Sequence, residues 1–362
     1  MSVYFGEKDK KLRKGKLQKR DLVITTRGTV GNFVLYDKNA PFKNIRINSG
    51  MAIIRSNDSI VCSEFLLALL KSSLIQNQIK RIAFGSAQPQ LTIKLINGFE
   101  ITAPSLSEQK KITEILSTWD KAIEQMRKLI DAKKHRKKDL MQQLLTGKKR
   151  LPGFLKSKGR NSYRFFDLPE DWECPQIRDV AQEYSERNTG RDDLTVLSCS
   201  KHLGFVESSE YFGKQVFSAD TSNYKVIRRN YFGYPSNHIE EGSIGLLLTH
   251  DLGIVSPIYT VFKCIDNIIP EYLYAVFKTD TFRHIFAIST NASVDRRGSL
   301  RWREFSLIRV PHPSIKEQQA IVDVLNVSDR EIAQLDTKLK ALEKQKRGLM
   351  QKLLTGEVRV TI

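Results

Sequence analysis

The chain has 362 residues and a formal net charge of +19, from 59 lysines and arginines against 40 aspartates and glutamates. This length predicts two or three domains, and 40% hydrophobic residues beside 27% charged ones argue against wholesale disorder. The positive excess indicates a polyanionic partner, most often nucleic acid, while no apolar run approaches the roughly 18 residues that a membrane-spanning helix requires.

Cysteine and histidine spacing bears on compartment and on metal chemistry. The first residues lack the apolar core of a secretory signal, and the four cysteines, Cys62, Cys174, Cys199 and Cys264, include no CxxC pair. We therefore expect a cytoplasmic protein with free thiols. The six histidines are scattered along the chain, so the sequence predicts no metal site.

Residues 1–103 predict a first globular unit. Its secondary structure is predicted as β-runs at Asp21–Thr26, Asn32–Tyr36 and Met51–Arg55, followed by a helix at Ser63–Leu70. The loop Thr25–Gly31 has a GxxG core but lacks the third glycine and the following helix of a dinucleotide site. It is either a turn that presents Arg27 and Thr29 to DNA or an ordinary hairpin turn.

Residues 104–150 predict one long helix. Ser105 and Glu108 match the S-x-x-E capping box, in which the glutamate reaches back to the N-cap amide, and Gly147 ends the helix. Apolar positions follow at alternating four- and three-residue steps, the seam of a coiled coil. The seam comprises Ile112, Leu116, Trp119, Ile123, Met126, Ile130, Leu140 and Leu144, with Lys133 and Lys137 as polar interruptions.

After a linker at 151–165, residues 166–312 predict a second globular unit. Its β-rich runs are Leu194–Ser198, Tyr224–Ile227, Ser243–Leu248 and Ser256–Lys263, and its helices are Pro270–Phe277 and Thr281–Ile288. Both globular units are therefore of mixed α+β composition.

Residues 313–362 repeat the long helix. The stretch 104–150 aligns on 313–359 without a gap at an offset of 209, with Glu108-Gln109 on Glu317-Gln318. The second seam comprises Ile321, Leu325, Ile332, Leu335, Leu339, Leu342, Leu349 and Leu353, interrupted at Ser328 and Lys346. A weaker similarity extends upstream into the globular units, so a unit followed by a helix is used twice.

Two seams in one chain most simply pair with each other, although each could instead bind a helix of another protein. We predict an α+β protein in which two mixed α/β domains are separated by two long helices that form an antiparallel coiled coil. Such a pair would hold the two domains at a fixed distance. Residues 1–20 and 104–160 carry 16 of the 19 excess positive charges, which suits contact with a phosphate backbone or a solvated helix face.

Candidate DNA-binding residues lie in polar loops. Arginine suits guanine, and glutamine or asparagine suits adenine, in the major groove; a solvated loop is the alternative for each. The candidates are Arg27, Thr29, Lys43, Arg46, Asn48, Ser86, Gln88, Gln90, Ser236, Asn237, His238, Asn291, Arg296, Arg297, Arg301 and Arg303.

Catalytic motifs are missing from the sequence. Asp192-Asp193 lacks the Glu-x-Lys of a nuclease, and the chain contains no Walker loop and no Asn-Pro-Pro-Tyr/Phe run, with which an amino-methyltransferase would hold a flipped adenine. We expect no catalysis by this chain and no cofactor bound to it.

The repeated segment resembles the repeated region of type I restriction-modification specificity subunits. The likeness lies in the order Glu-Gln, Asp, and Leu-Met-Gln-x-Leu-Leu-Thr-Gly, found in both copies. Leu168–Glu173 is similar to the start of the family's target recognition domains, and Thr26–Gly31 to its characteristic turn. The resemblance covers nearly the whole chain.

The resemblance implies two target recognition domains, each reading one half of a split DNA sequence. It also implies that the helices dock two methyltransferase subunits and that the complex recruits restriction and motor subunits. Adenine methylation with S-adenosylmethionine, and ATP- and Mg²⁺-dependent cleavage, would then belong to those partners.

The first target recognition domain is expected to be shortened. Its match to the second copy begins near Tyr4 on Tyr211, about 40 residues inside the unit that Phe166 opens. The alternative function is therefore a scaffold or decoy that binds the methyltransferase without reading DNA specifically.

Overall fold

The computed structural model describes residues 2–3, 14–37, 40, 42, 44–83, 90–155, 159–189, 193–291 and 298–362. The chain divides into two compact units. Unit 1 combines Met1–Ile130 with Gln334–Ile362, and unit 2 is Asp131–Ala333. Each unit therefore holds one globular part together with a portion of each long helix.

Unit 1 contains a three-stranded antiparallel sheet covered by helices. The described strands of unit 1 as a whole are β1 (Ser2–Val3), β2 (Leu22–Thr25), β3 (Phe33–Leu35), β4 (Ile45–Arg46) and β5 (Met51–Ile54). Its short helices are α1 (Ser63–Lys71), α2 (Ser73–Ala83) and α3 (Ile93–Asn97). The sheet order is β3-β2-β5, with Leu22 opposite Ile54, and β1 pairs separately with β4. Leu22 and Ile24 are fully buried against α1 residues such as Phe65.

The long helices are α4 (Leu106–Leu145) and, at the end of the chain, Ile315–Thr355. The two long helices, together with the antiparallel sheets and short helices of both units, confirm the predicted α+β fold class. Predicted runs and observed elements agree within a few residues in unit 1. Helix α2, which was not predicted from the sequence, follows α1 after a single residue.

Unit 2 is built on a four-stranded antiparallel sheet. The described strands of unit 2 as a whole are β6 (Arg160–Ser162), β7 (Asp167–Pro169), β8 (Ala181–Glu183), β9 (Leu197–Ser200), β10 (Gly204–Glu207), β11 (Lys225–Arg228), β12 (Tyr231–Pro235), β13 (Gly245–Leu246), β14 (Leu252–Val255) and β15 (Tyr259–Cys264). Its helices are α5 (Ile177–Val180), α6 (Ser208–Phe212), α7 (Pro270–Phe277), α8 (Asp280–Asn291) and α9 (Trp302–Phe305), which makes the last long helix α10.

The main sheet of unit 2 repeats that of unit 1 and adds a strand. Its order is β13-β12-β15-β8, and Phe232 on β12 lies opposite Phe262 on β15 as Leu22 lies opposite Ile54. The additional strand, β8, pairs with β15 through Glu183 and Phe262. An aromatic core in which Phe232 and Phe262 stack at 4.8 Å packs between this sheet and α7 and α8.

The predicted N-cap serines and C-terminal glycines of the long helices are confirmed, but the predicted role of the capping-box glutamates is wrong. Ser105 caps α4, because its hydroxyl accepts from the Glu108 amide at 3.4 Å, and Ser314 does the same for Glu317. Gly147 and Gly356 adopt positive φ angles of 61° and 75°, as expected beyond a helix C-terminus. The glutamates do not reach back to the N-cap amide, because both carboxylates are bound by arginines of the other repeat.

Within each unit, α4 and α10 residues pair in the antiparallel sense. In unit 1, Asp120 contacts Lys346 and Arg127 contacts Glu343. In unit 2, the two lysines that interrupt the first seam are bound by acids of α10, Lys133 by Glu331 and Lys137 by Asp329, each at 2.5 Å. All sixteen predicted seam residues are buried or half-buried.

A buried glutamine joins each long helix to its own globular part. In unit 1, Gln109 accepts from the Cys62 amide at 2.9 Å and donates to the carbonyls of Ile60 and Pro104. Cys62 is the N-cap of α1. Gln109 is fully buried, so its hydrogen bonds replace those it loses to water.

Gln318 makes the equivalent contacts in unit 2. It accepts from the amide of Ile269, the N-cap of α7, at 2.8 Å and donates to the carbonyl of Pro313 at 2.9 Å. The second half of the repeated Glu-Gln motif therefore fixes the start of a long helix onto a helix of the domain that precedes it.

The glutamate of the motif binds an arginine that follows the other long helix. In unit 2, Arg150 contacts Glu317 at 2.6 Å and Asp171 at 2.8 Å, and its guanidinium lies 5.3 Å from the centre of the Trp172 ring. The pKa of Arg150 is raised, chiefly by the hydrogen bond to Asp171. Side chains of Arg150 and Glu317 are only 6% and 3% exposed.

In unit 1, Arg359 contacts Glu108 with both distances at 2.7 Å. This bond lowers the pKa of Glu108. The Arg359 side chain is 72% exposed, whereas that of Glu108 is only 3% exposed. Both partners of the ion pair are therefore covered in unit 2, but in unit 1 the arginine is open to solvent.

Among the described residues, all four cysteines are free, as predicted. None of the helices in the described part of the chain is long and apolar enough to cross a membrane.

The different burial of the two arginines predicts different costs of removing them. Arg150→Met would leave Glu317 buried without its cation, and breaking a buried ion pair costs about 3–5 kcal/mol. Arg359→Met should cost less, because water can replace a guanidinium whose side chain is 72% exposed, even though Glu108 itself is only 3% exposed. Urea unfolding followed by tryptophan fluorescence would compare the two variants, and equal losses of stability would contradict the assignment.

Candidate nucleic-acid interface

One end of the sheet in unit 1 brings three predicted residues together. Arg27 follows β2, Asn48 precedes β5, and Gln90 enters from the segment before α3. Backbone hydrogen bonds hold these three segments together. The Thr26 amide donates to the Gly50 carbonyl at 2.8 Å, and the Leu91 amide donates to the Thr26 carbonyl at 3.1 Å. In the amide orientation that satisfies its neighbours, Gln90 Oε1 accepts from Arg27 Nε at 3.2 Å and from Nη2 at 3.1 Å.

The glycines of the GxxG loop shape this end of the sheet. Gly28 and Gly31 have φ angles of 70° and 82°, a conformation that side chains disfavour. A Cβ on Gly31 would also lie 3.2 Å from the Ile79 side chain of α2, whereas Gly28 has open space. The loop therefore packs on α2 at one end and leaves Arg27 and Thr29 exposed at the other.

Other candidates of unit 1 fall outside this group. Arg46 is 5% exposed, and its guanidinium donates to the Lys14 carbonyl at 2.8 Å, so it does not present its charge at the surface. Lys43, Ser86 and Gln88 lie outside the described residues. Asn48, by contrast, belongs to the group: its side-chain oxygen accepts from the Gly50 amide at 3.0 Å and so forms the turn that leads into β5.

Unit 2 repeats the same backbone arrangement at the end of β12. The Leu300 amide donates to Ser236 at 2.8 Å, the counterpart of the bond from Leu91 to Thr26. Ser236 is buried, Asn237 is half-buried and His238 is exposed. Asn237 therefore occupies the place that Arg27 has in unit 1. Both residues are candidates from the sequence, but their equivalence was not predicted.

The arginine-rich loop of unit 2 is described only in part. Arg301 is exposed and is the N-cap of α9. Arg303 is 91% exposed and contacts the neighbouring Glu304 at 2.7 Å. Arg296, Arg297 and the side chain of Asn291 lie outside the described residues.

Groups capable of other chemistry are few in the described residues. Burial raises the pKa of Cys174 to about 11 and the pKa of Cys199 and Cys264 to about 12, which keeps these thiols protonated and unreactive at neutral pH. His238, Glu240 and Glu241 have ligand atoms within 4.8 Å of one another on a surface turn; exposed acidic groups of this kind are common without a metal.

Sequence comparison gives the family. A family model for the type I restriction modification DNA specificity domain matches residues 6–134. The type I restriction enzyme MjaVIII specificity subunit of Methanocaldococcus jannaschii is 26% identical over 310 residues, 80% of this chain and 68% of that protein. The putative MjaX specificity subunit of the same organism is 24% identical over 348 residues, 93% of this chain and 77% of that protein.

Solved structures give the same fold. The S subunit of a type I restriction-modification system from M. genitalium covers 96% of this chain and 85% of that one, with a TM-score of 0.52 and 16% identity. A chain from a study of complex assembly in the type I R-M system covers 95% of this chain and 83% of its own, with a TM-score of 0.55 and 17% identity. The duplicated helices, the family model over residues 6–134 and the two M. jannaschii relatives agree that the chain belongs to the DNA specificity subunits of type I restriction-modification systems.

Proposed function

We propose that each unit reads one half of a split DNA sequence through the loop that follows the central strand of its sheet. The observation that carries this proposal is the repeated arrangement around Thr26 and Ser236. In both units a backbone bond from a leucine, Leu91 or Leu300, fixes the loop. The next residue, Arg27 or Asn237, is then directed by the same local fold but offers different hydrogen-bonding groups.

The difference between Arg27 and Asn237 suits different bases. Arginine binds guanine O6 and N7 with two donors, whereas asparagine binds adenine N6 and N7. Gln90 holds two nitrogens of Arg27 and so restricts the orientation of the guanidinium. Arg301 and Arg303 would add phosphate contacts, which give affinity without sequence information.

Methyltransferase subunits are the proposed partners of the long helices. In unit 2, Val327 on α10 is 56% exposed beside a cavity of about 390 Å³ lined by α4 and α10 residues, among them Arg136 and Leu140. The lining combines apolar side chains, Leu140, Val324 and Val327, with basic and acidic ones, and such a mixture suits the docking of a partner protein. Two copies of the methyltransferase would match the duplication of the helical segment.

Specificity subunits are in general non-catalytic. We propose that this chain acts in the cytoplasm as part of a complex with methyltransferase and restriction subunits. Adenine methylation with S-adenosylmethionine, and the use of ATP and Mg²⁺, would take place on those partners, and the chain itself would bind none of these cofactors.

Substitution of the two loop residues should alter different halves of the target. With the chain in complex with its methyltransferase, Arg27→Ala and Asn237→Ala should each relax the bases read in one half and cost about 1–3 kcal/mol there. In vitro selection from random duplex DNA measures this effect.

The matched control is Arg347→Ala, which removes an exposed arginine of α10 and should leave the selected sequence unchanged. Selection of the same sequences by all three variants would contradict the proposed readout. Complex formation with no sequence preference, even by the unaltered chain, would favour the decoy alternative.

Docking on α10 predicts a further effect. Val327→Asp should reduce the amount of methyltransferase that copurifies with the chain, because it places a charge on an apolar contact, and the fold should persist since the side chain is largely exposed. The control is Leu203→Asp, at a 68% exposed leucine outside the long helices. Equal copurification of both variants would exclude Val327 from the docking surface.

A further inference from the structure

A segment of unit 2, residues 169–184, covers a surface whose counterpart in the described part of unit 1 is open. Residues 173–177 pair with the chain that leads into α10: the Val310 amide donates to Pro175 at 3.0 Å, and the Ile177 amide donates to Ile308 at 2.8 Å. Val310 is fully buried as a result. Its counterpart 209 residues earlier, Ile101, is 43% exposed.

The same segment continues into β8, which completes the main sheet of unit 2. The Tyr184 amide donates to Val261 of β15 at 2.8 Å, and Glu183 lies opposite Phe262. In unit 1 the counterpart of β15 is β5, which ends the described sheet. One edge of β5 therefore has no neighbouring strand among the described residues, and such edges accept a further strand.

The beginning of the segment covers the ion pair at the end of the long helix. Asp171 contacts Arg150 at 2.8 Å, and Trp172 Nε1 donates to Glu317 at 3.1 Å. The counterparts in unit 1 are Arg359, 72% exposed, and Glu108. Arg359 thus keeps a large part of its guanidinium accessible to a carboxylate.

The surroundings of two equivalent glycines show the same difference in coverage between the units. A Cβ on Gly147 would lie 2.5 Å from Pro169 and 3.4 Å from Trp172, whereas one on Gly356, its counterpart in unit 1, would meet nothing within 4 Å. The space that Pro169 and Trp172 fill in unit 2 is therefore empty of described residues in unit 1.

A cavity follows this open path in unit 1. It has a volume of about 780 Å³ and is lined by Ile53 and Arg55 of β5 and its continuation, and by Ile96, Phe99 and Ile101 near the start of α4. The cavity therefore runs along the β5 edge to the exposed isoleucine that the covering segment would bury.

We propose that this open surface of unit 1 binds an extended segment of a partner polypeptide that carries a Leu-Pro-x-Asp-Trp sequence followed by a strand. The aspartate would bind Arg359, the tryptophan would bind Glu108 and cover Gly356, and the strand would pair with β5. A second copy of the chain is a poor donor, because its own Leu168 and Trp172 are 0% and 3% exposed. One end of the cavity is lined by Thr26 and Gln90, beside the loop proposed to read DNA in unit 1, but the proposal does not depend on that function.

The test uses a fluorescein-labelled synthetic peptide of residues 166–184, with Cys174→Ser, titrated with the full chain. Fluorescence anisotropy should show saturable binding. This binding would report on unit 1, because the matching site in unit 2 is already filled by the chain's own segment. Arg359→Ala should weaken binding about tenfold or more by removing the cation that faces the aspartate. Ile101→Glu, at the other end of the surface, should also weaken binding, and circular dichroism confirms that each variant is folded.

Three controls separate this site from general attraction between a basic protein and an acidic peptide. Arg347→Ala removes an exposed arginine elsewhere on α10 and should leave binding unchanged. A scrambled peptide, and one with both Asp171→Asn and Trp172→Ala, should bind weakly. No saturable binding, or equal loss with Arg347→Ala and Arg359→Ala, would overturn the proposal. So would dimerisation of the chain alone, seen by sedimentation and removed by Arg359→Ala, because a second copy would then be the occupant.

Discussion

The fold depends on two adjacent buried polar residues, the Glu-Gln pair at the start of each long helix. Gln109 and Gln318 fix the helix to the domain before it, while Glu108 and Glu317 bind an arginine that follows the other helix. A buried carboxylate or amide is costly unless every partner is in place. The two repeats are therefore held in antiparallel pairing by bonds that only the correct arrangement satisfies, and seam packing adds to them.

Much of the fold was predictable because its causes are local or periodic. Helix α7 begins at Pro270 and ends at Phe277, the same two residues that were predicted, since a proline begins the helix and an apolar face follows. The role of Glu108 was predicted wrongly. A capping box is a local interpretation, but the partner that binds the carboxylate is Arg359, 251 residues away, and no local pattern reveals it.

The candidate site was predictable only as a set of residue types. Arg27 and Gln90 were both named, but their contact depends on the bond between Leu91 and Thr26, which the spacing does not show. Arg46 was named for its charge, yet it is only 5% exposed and its guanidinium donates to the backbone carbonyl of Lys14. A polar residue in a loop can face solvent or complete the core, and the choice is made by tertiary contacts.

The proposed function rests on one local arrangement that occurs in both units with different side chains, Arg27 and Asn237, at the equivalent position. The central claim is that two such loops read two halves of one DNA sequence. The most direct measurement is genome-wide mapping of methylated adenine in cells that express this chain with its methyltransferase and no other specificity subunit. The account predicts a two-part motif with a spacer of fixed length and no base preference. A single continuous motif, or methylation without any motif, would contradict it.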